Sequence, residues 1–236
     1  MLYGLKNKLN VLVIMKKFVL FVLLMLPVTV FAQKDVTTFL GIPVDGSKME
    51  FIGKLTKKGF QYNASKDILT GQFNGSAKEI IVQTNNDKVC RIVVTDQDET
   101  REKSDIIIKF NKLINQFRNN QRYAEYPPNE EIESGTDISY EMMIKNKRYQ
   151  AQFYQKPIKL DPEDEEKYSA LQEKIEEIKS SNNLSAAMEL LGNLNTYYRK
   201  YLMNKLVWFM INESYGKYSI AIFYENGYNM ANGEDL

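Results

Sequence analysis

The chain has 236 residues, 44% of them hydrophobic and 12% aromatic, which suffices for one large core or two small ones and is too apolar for a disordered chain. It has no histidine and one cysteine, Cys90. This excludes Ser-His and Cys-His nucleophile systems, His-ligated or all-Cys zinc, and any intramolecular disulfide. The formal net charge of +1 carries no electrostatic footprint of nucleic-acid binding.

The N-terminus reads as a secretory signal peptide over residues 1–32. From Met15, "MKKFVLFVLLMLPVTVFAQ" places Lys16 and Lys17 before an apolar run from Phe18 to Leu26. A breaking Pro27 follows, and then Val30 and Ala32, the small residues expected before a cleavage point at Gln33. The lysines cut the apolar run short of the about 20 residues a membrane span needs, and no cysteine stands at the cleavage point for lipid attachment. Residues 1–14 are either upstream of a true start at Met15 or a lengthened basic region. The expectation is an exported protein, periplasmic or extracellular, without a lipid anchor. Removing four lysines from 31 basic residues leaves 27 against 30 acidic ones, a net charge of −3.

The mature chain opens on "FLGIPVDGSKMEFIGKLTKKGF". Gly41 and Gly46-Ser47-Lys48 approach a nucleotide-binding loop, but the lysine and hydroxyl stand in the wrong order and Pro43 removes a backbone N–H. Ser47 with Glu50 is instead a capping box, and Phe51, Ile52 and Leu55 follow at helical spacing. A helix over about 48–58 is expected, with Gly59 just past its end and Phe60 packing back. No nucleotide site follows from it.

Next, "DILTGQFNGSAKEIIVQTNNDKVCRIVVTD" holds turn signals at Asn74-Gly75 and Asn85-Asn86-Asp87, predicting a three-stranded antiparallel meander over about 66–95. Cys90 lies in its apolar part and reads as a buried structural residue. An amphipathic helix carries Ile106, Phe110, Leu113, Ile114 and Phe117 on one stripe. A polar loop over 125–137 leads to "DISYEMMIKNKRYQAQFYQKP", whose alternation about Asn146-Lys147 predicts a hairpin. Residues 163–204 read as two helices broken at Ser180 to Asn183. A second hairpin, "LVWFMINESYGKYSIAIFYEN", turns at Tyr215-Gly216. The terminal "NGYNMANGEDL" lacks the order of a calcium loop and reads as a polar tail.

These elements predict an α+β fold: a helix plus an antiparallel β-meander, with a duplication of that unit as an expectation and a two-helix insertion over 158–204 in the second half. The organisation is 33–124, a helix, three strands and a helix, and 125–236, two hairpins with the insertion, the two forming one compact unit.

Candidate chemistry is sparse. Without histidine, hydrolysis would fall to carboxylates, and Glu141, Glu213 and Glu225 are the candidates for a facing pair on the hairpins. Glu163 to Glu166 read as a solvated helix start. Aromatic residues concentrate on the two hairpins, and Tyr140, Tyr149, Tyr154, Trp208, Tyr218 and Tyr224 form a candidate binding surface for an envelope protein or a glycan. Cross-strand packing in a covered sheet is the alternative use of the same rings.

Through "FLGIPVDGSKMEFIGKLTKKGF", "RYQAQFYQ" and "VWFMINESYGKYSIAIFYENGYNMANGEDL" the chain resembles a family of small exported proteins of gut Gram-negative anaerobes. The resemblance implies export and a shared fold and brings no activity or functional residues. In element order it is also similar to β-lactamase-inhibitor-like and outer-membrane assembly lipoprotein modules, although it lacks the lipoprotein cysteine. The reading is an exported, non-catalytic binding protein without cofactor. A carboxylate-based hydrolase of glycan or cell-wall material and a structural envelope protein stand as alternatives.

Overall fold

A computed structural model describes residues 35–158, 160, 162–180, 199 and 201–231. The signal-peptide reading and most of the second predicted insertion helix lie outside the described residues. In chain order the elements are β1 (Thr38–Phe39), β2 (Ile42–Pro43), α1 (Lys48–Thr56), β3 (Gln61–Asn63), β4 (Ile68–Phe73), β5 (Ser76–Asn85) and β6 (Lys88–Asp96). Then come α2 (Lys103–Arg118), β7 (Tyr123–Ala124), α3 (Ile138–Met143), β8 (Gln150–Gln155), α4 (Pro162–Ser180), β9 (Leu206–Ser214) and β10 (Lys217–Glu225).

The ends of α1 are set locally. The Ser47 hydroxyl accepts the Glu50 N–H at 3.4 Å, while the Glu50 carboxylate pairs forward with Lys54 at 2.7 Å rather than reaching back to close the box. At the other end Gly59 takes φ +97°. Its N–H donates to Thr56 O at 3.0 Å and the Phe60 N–H donates to Leu55 O at 3.3 Å. This is a Schellman stop, and it turns Phe60 into the core.

Eight strands form one antiparallel sheet in the order β3-β4-β5-β6-β10-β9-β8-β7. Each half supplies a helix and then four strands that run from an edge to the centre, and the halves meet where β6 pairs with β10. The expected duplication therefore exists as an element order. Its second copy carries long excursions, with α3 between β7 and β8 and α4 between β8 and β9, where the first copy has tight turns. Tight hairpins turn at Asn74-Gly75, Asn86-Asp87 and Tyr215-Gly216, each with both residues at positive φ, the backbone twist that favours two-residue loops.

One sheet face carries the core. Phe51, Ile52 and Leu55 of α1 and the predicted α2 stripe pack on Ile80, Val82, Ile92 and Val94 and on Phe209, Ile211, Ile220 and Ile222. The β1–β2 hairpin, unforeseen in the sequence, inserts Phe39 between Phe73 and Tyr224, with ring centroids 5.2 and 4.9 Å away.

The structure corrects three local readings. Residues 138–143 form a helix, so the first predicted hairpin does not exist; β8 pairs with β7 and β9 instead. The alternation was ambiguous because Ile138 and Met142 are also four apart, and the Asp137 carboxylate caps the helix by accepting the Tyr140 N–H. Cys90 is half-buried rather than buried. Gln83 faces Arg91 while Thr84 faces Val89, so Cys90 is the extra residue of a β-bulge. The start of the polar tail is anchored: Asn226 is fully buried and donates to Val44 O at 2.6 Å, and Asn229 donates to Asp45 and to Val89 O, both at 2.8 Å.

Candidate functional site

Strand alternation sends Arg91, Trp208, Phe223 and Glu225 to the sheet face turned away from α1 and α2. The register then brings them together. Phe223 lies opposite Trp208 on β9 and Val93 on β6, and Glu225 lies opposite Arg91. The bulge at Cys90 interrupts the alternation of β6, so that Val89 enters the core while Arg91, two residues on, points outward.

The Trp208 and Phe223 rings stack with centroids 4.0 Å apart and planes at 10°. The Arg91 guanidinium carbon sits 5.6 Å from the centre of the Phe223 ring. Glu225, only 2% exposed, ties the group together. Its Oε1 accepts the indole N–H at 2.7 Å, and its two oxygens accept the Arg91 Nε–H at 2.8 and 2.9 Å. A buried carboxylate thus gains a cation and a neutral donor, which offsets its desolvation.

Beside this plate, the 127–129 loop, β8 and β9 enclose a cleft of about 370 Å³ lined by Pro127, Asn129, Gln150, Gln152, Leu206 and Trp208. The loop wall is held like an added strand. Gln152 N–H donates to Asn129 Oδ1 at 2.8 Å, and Asn129 Nδ2 donates to Gln152 O at 3.0 Å. Glu125 accepts the Asn129 N–H at 2.8 Å and the Arg118 Nε–H at 2.9 Å. Arg118 first, and then Asn129, hold the Glu125 carboxyl down at about 2. Rigid aromatic area, a cation and amides at the edge equip the face for binding.

The six aromatic residues singled out from the sequence fall in separate places, so they do not make one platform. Trp208 is on the outer face, with Tyr154, 9% exposed, two residue pairs along it opposite Leu206. Tyr140 is exposed on α3, with Lys145 5.6 Å from its ring centre. Tyr149, Tyr218 and Tyr224 are buried in the core. The Tyr149 hydroxyl donates to Glu141, Tyr218 bonds Ser139, and burial together with Tyr123 raises Tyr224 well above its ordinary value.

Sequence reasoning missed Phe223, Glu225 and Arg91 as partners of Trp208. The first was accessible: a two-residue turn at Tyr215-Gly216 makes Trp208 and Phe223 a directly opposed pair. Arg91 comes from the other half of the chain, and no local pattern connects it.

Glu213 and Glu225 do not face one another as a pair. Glu213 pairs with Tyr218 on the helix-side face and accepts the Gly216 N–H at 2.8 Å. Glu225 is seven residues farther along β10 on the other face, roughly 23 Å away at strand spacing, against roughly 5–9.5 Å for a glycosidase pair. Glu141 is engaged by Lys147 at 2.7 Å and by Tyr149, which hold its carboxyl down at about 2. It is an anion at neutral pH and has no proton to give as a general acid.

Among the described residues, no helix is long and apolar enough to cross a membrane, and no group of three or more Cys, Asp or Glu could hold a metal ion. No protein-family model, curated protein or solved structure matches the chain.

Proposed function

We propose that the protein is an exported, non-catalytic interaction module, periplasmic or extracellular, that takes a protein partner on the sheet face centred on Trp208 and Phe223. The observation that carries this reading is the stacked pair with Arg91 over Phe223 and Glu225 beneath. Trp, Tyr and Arg dominate the binding energy of protein interfaces because they give large, rigid area with a polar end. Here the stack and its ion pair pre-set the side chains, so little rotamer entropy remains to be lost on docking. Gln150 and Gln152 supply amides at the edge of the same face, as an interface rim requires.

The test is site-specific photo-crosslinking in envelope extracts, with the reactive residue at Met210, on the same face, or at Lys58, at the end of α1. A discrete product from Met210 alone, lost in Trp208→Ala and Phe223→Ala variants that keep their circular dichroism, supports the reading. Equal products from both positions, or capture indifferent to Trp208→Ala, would overturn it.

A further inference from the structure

On the helix side of the sheet, the C-terminal end of α2, the β1–β2 turn and the β4–β5 turn surround a second cleft, of about 520 Å³. That size suits a small organic ligand. Ile222 and Tyr224 of β10 form its floor, with Phe73, Phe117 and Tyr123 at its sides. Phe73 and Tyr123 are half-buried, so their rings are accessible from the cleft. The edge of Tyr123 meets Phe117 at 4.7 Å and 77°, which fixes both rings. Among the described residues no charged side chain lines the space, so an ionised ligand would lose its hydration without a counter-charge.

The polar groups are amides on the rim. Asn74 Nδ2 donates to Gln116 Oε1 at 2.8 Å, spanning from the β4–β5 turn to α2. That bond leaves Asn74 Oδ1 and Gln116 Nε2, one acceptor and one donor, without a partner among the described residues, and Gln72 stands beside them. Below them the Tyr123 hydroxyl accepts Gln155 Nε2 at 3.2 Å, and burial, with Tyr123 beside it, raises the Tyr224 hydroxyl well above its ordinary value. The cleft thus offers aromatic faces inside and a donor–acceptor amide pair at the mouth.

We propose that this cleft binds a neutral sugar unit of a glycan. Such a unit is uncharged, offers an apolar C–H face to aromatic rings, and presents adjacent hydroxyls that each donate and accept, matching the paired amides. An acyl chain would use the walls but leave the rim amides unmatched, and an acidic sugar would lack a cation. The site lies on the opposite sheet face from Trp208 and is independent of the protein-docking reading.

The experiment is a glycan array followed by titration calorimetry of neutral mono- and disaccharides against the full mature chain. Saturable binding of a neutral glycan is expected, weakened about tenfold by Asn74→Ala or Gln116→Ala, since each removes about one hydrogen bond. Both side chains are exposed, and because Asn74 holds φ +51°, Asn74→Gly serves as the companion variant that removes the amide while keeping the turn. Trp208→Ala should leave the sugar affinity unchanged, which separates this site from the outer face. Binding of no neutral glycan, binding confined to acidic glycans or fatty acids, or affinity indifferent to both amide variants would overturn the proposal.

Discussion

The Trp208 indole N–H donates to Glu225 Oε1 at 2.7 Å across two neighbouring strands. Trp208 is the only tryptophan in the chain, so its fluorescence reports this bond directly. Glu225→Ala removes the acceptor of both the indole and Arg91 and should cost about 2–3 kcal/mol, whereas Glu225→Gln keeps an acceptor and should cost about half as much. Urea unfolding followed by Trp208 emission measures both. An alanine variant as stable as the parent would mean that the cluster is not held by this carboxylate.

Two glycines should respond to alanine with opposite signs. A Cβ on Gly71 would lie 2.5 Å from Phe60 Cδ1, the ring that the Schellman stop turns into the core. Gly71→Ala should therefore destabilise by about 1–3 kcal/mol. Gly53 lies inside α1 with nothing within 4 Å of an added Cβ, and Gly53→Ala should stabilise by about 0.5–1 kcal/mol. Midpoints of chemical denaturation that move in the same direction would contradict the packing described.

Lys78 and Asp96 form an ion pair between β5 and β6 with side chains 10% and 8% exposed, and Asp96 also accepts the Ile220 N–H at 3.1 Å. Removing one partner leaves a charge without its counter-ion, so Lys78→Met alone should cost about 3 kcal/mol. The double variant Lys78→Met with Asp96→Asn, which keeps an acceptor for Ile220, should recover more than half of that loss. A double-mutant cycle showing simple additivity would argue that the two groups are not coupled in solution.

Acid stability should reflect Glu125 and Glu141. Arg118 holds Glu125, and Lys147 holds Glu141, each at about 2 against an ordinary value of 4.5. Because the folded value is the lower one, each contribution is complete above about pH 4.5 and is lost as pH falls towards 2. Melting temperature should drop across that window, and Glu125→Gln should flatten the drop while lowering stability at pH 7. A parallel shift of the whole profile would show that the carboxyl titrates normally.

How much of this was legible follows the range of the interactions. The α1 cap, its glycine stop, the α2 stripe, the three-stranded meander and the β9–β10 turn are written in residues a few positions apart, where dihedral preference and hydrophobic period act directly. By itself the sequence also settled what chemistry is absent, since a chain without histidine and with one thiol cannot assemble His- or Cys-pair sites. At 138–143 both periods fitted, and the structure takes the helix, capped by the Asp137 carboxylate. The joining of β6 to β10, the bulge that turns Arg91 outward and the pairing of Trp208 with Glu225 belong to the tertiary structure alone. They depend on strands from opposite halves of the chain meeting in one register, and which sheet face an aromatic residue takes is set by that register rather than by its neighbours in sequence.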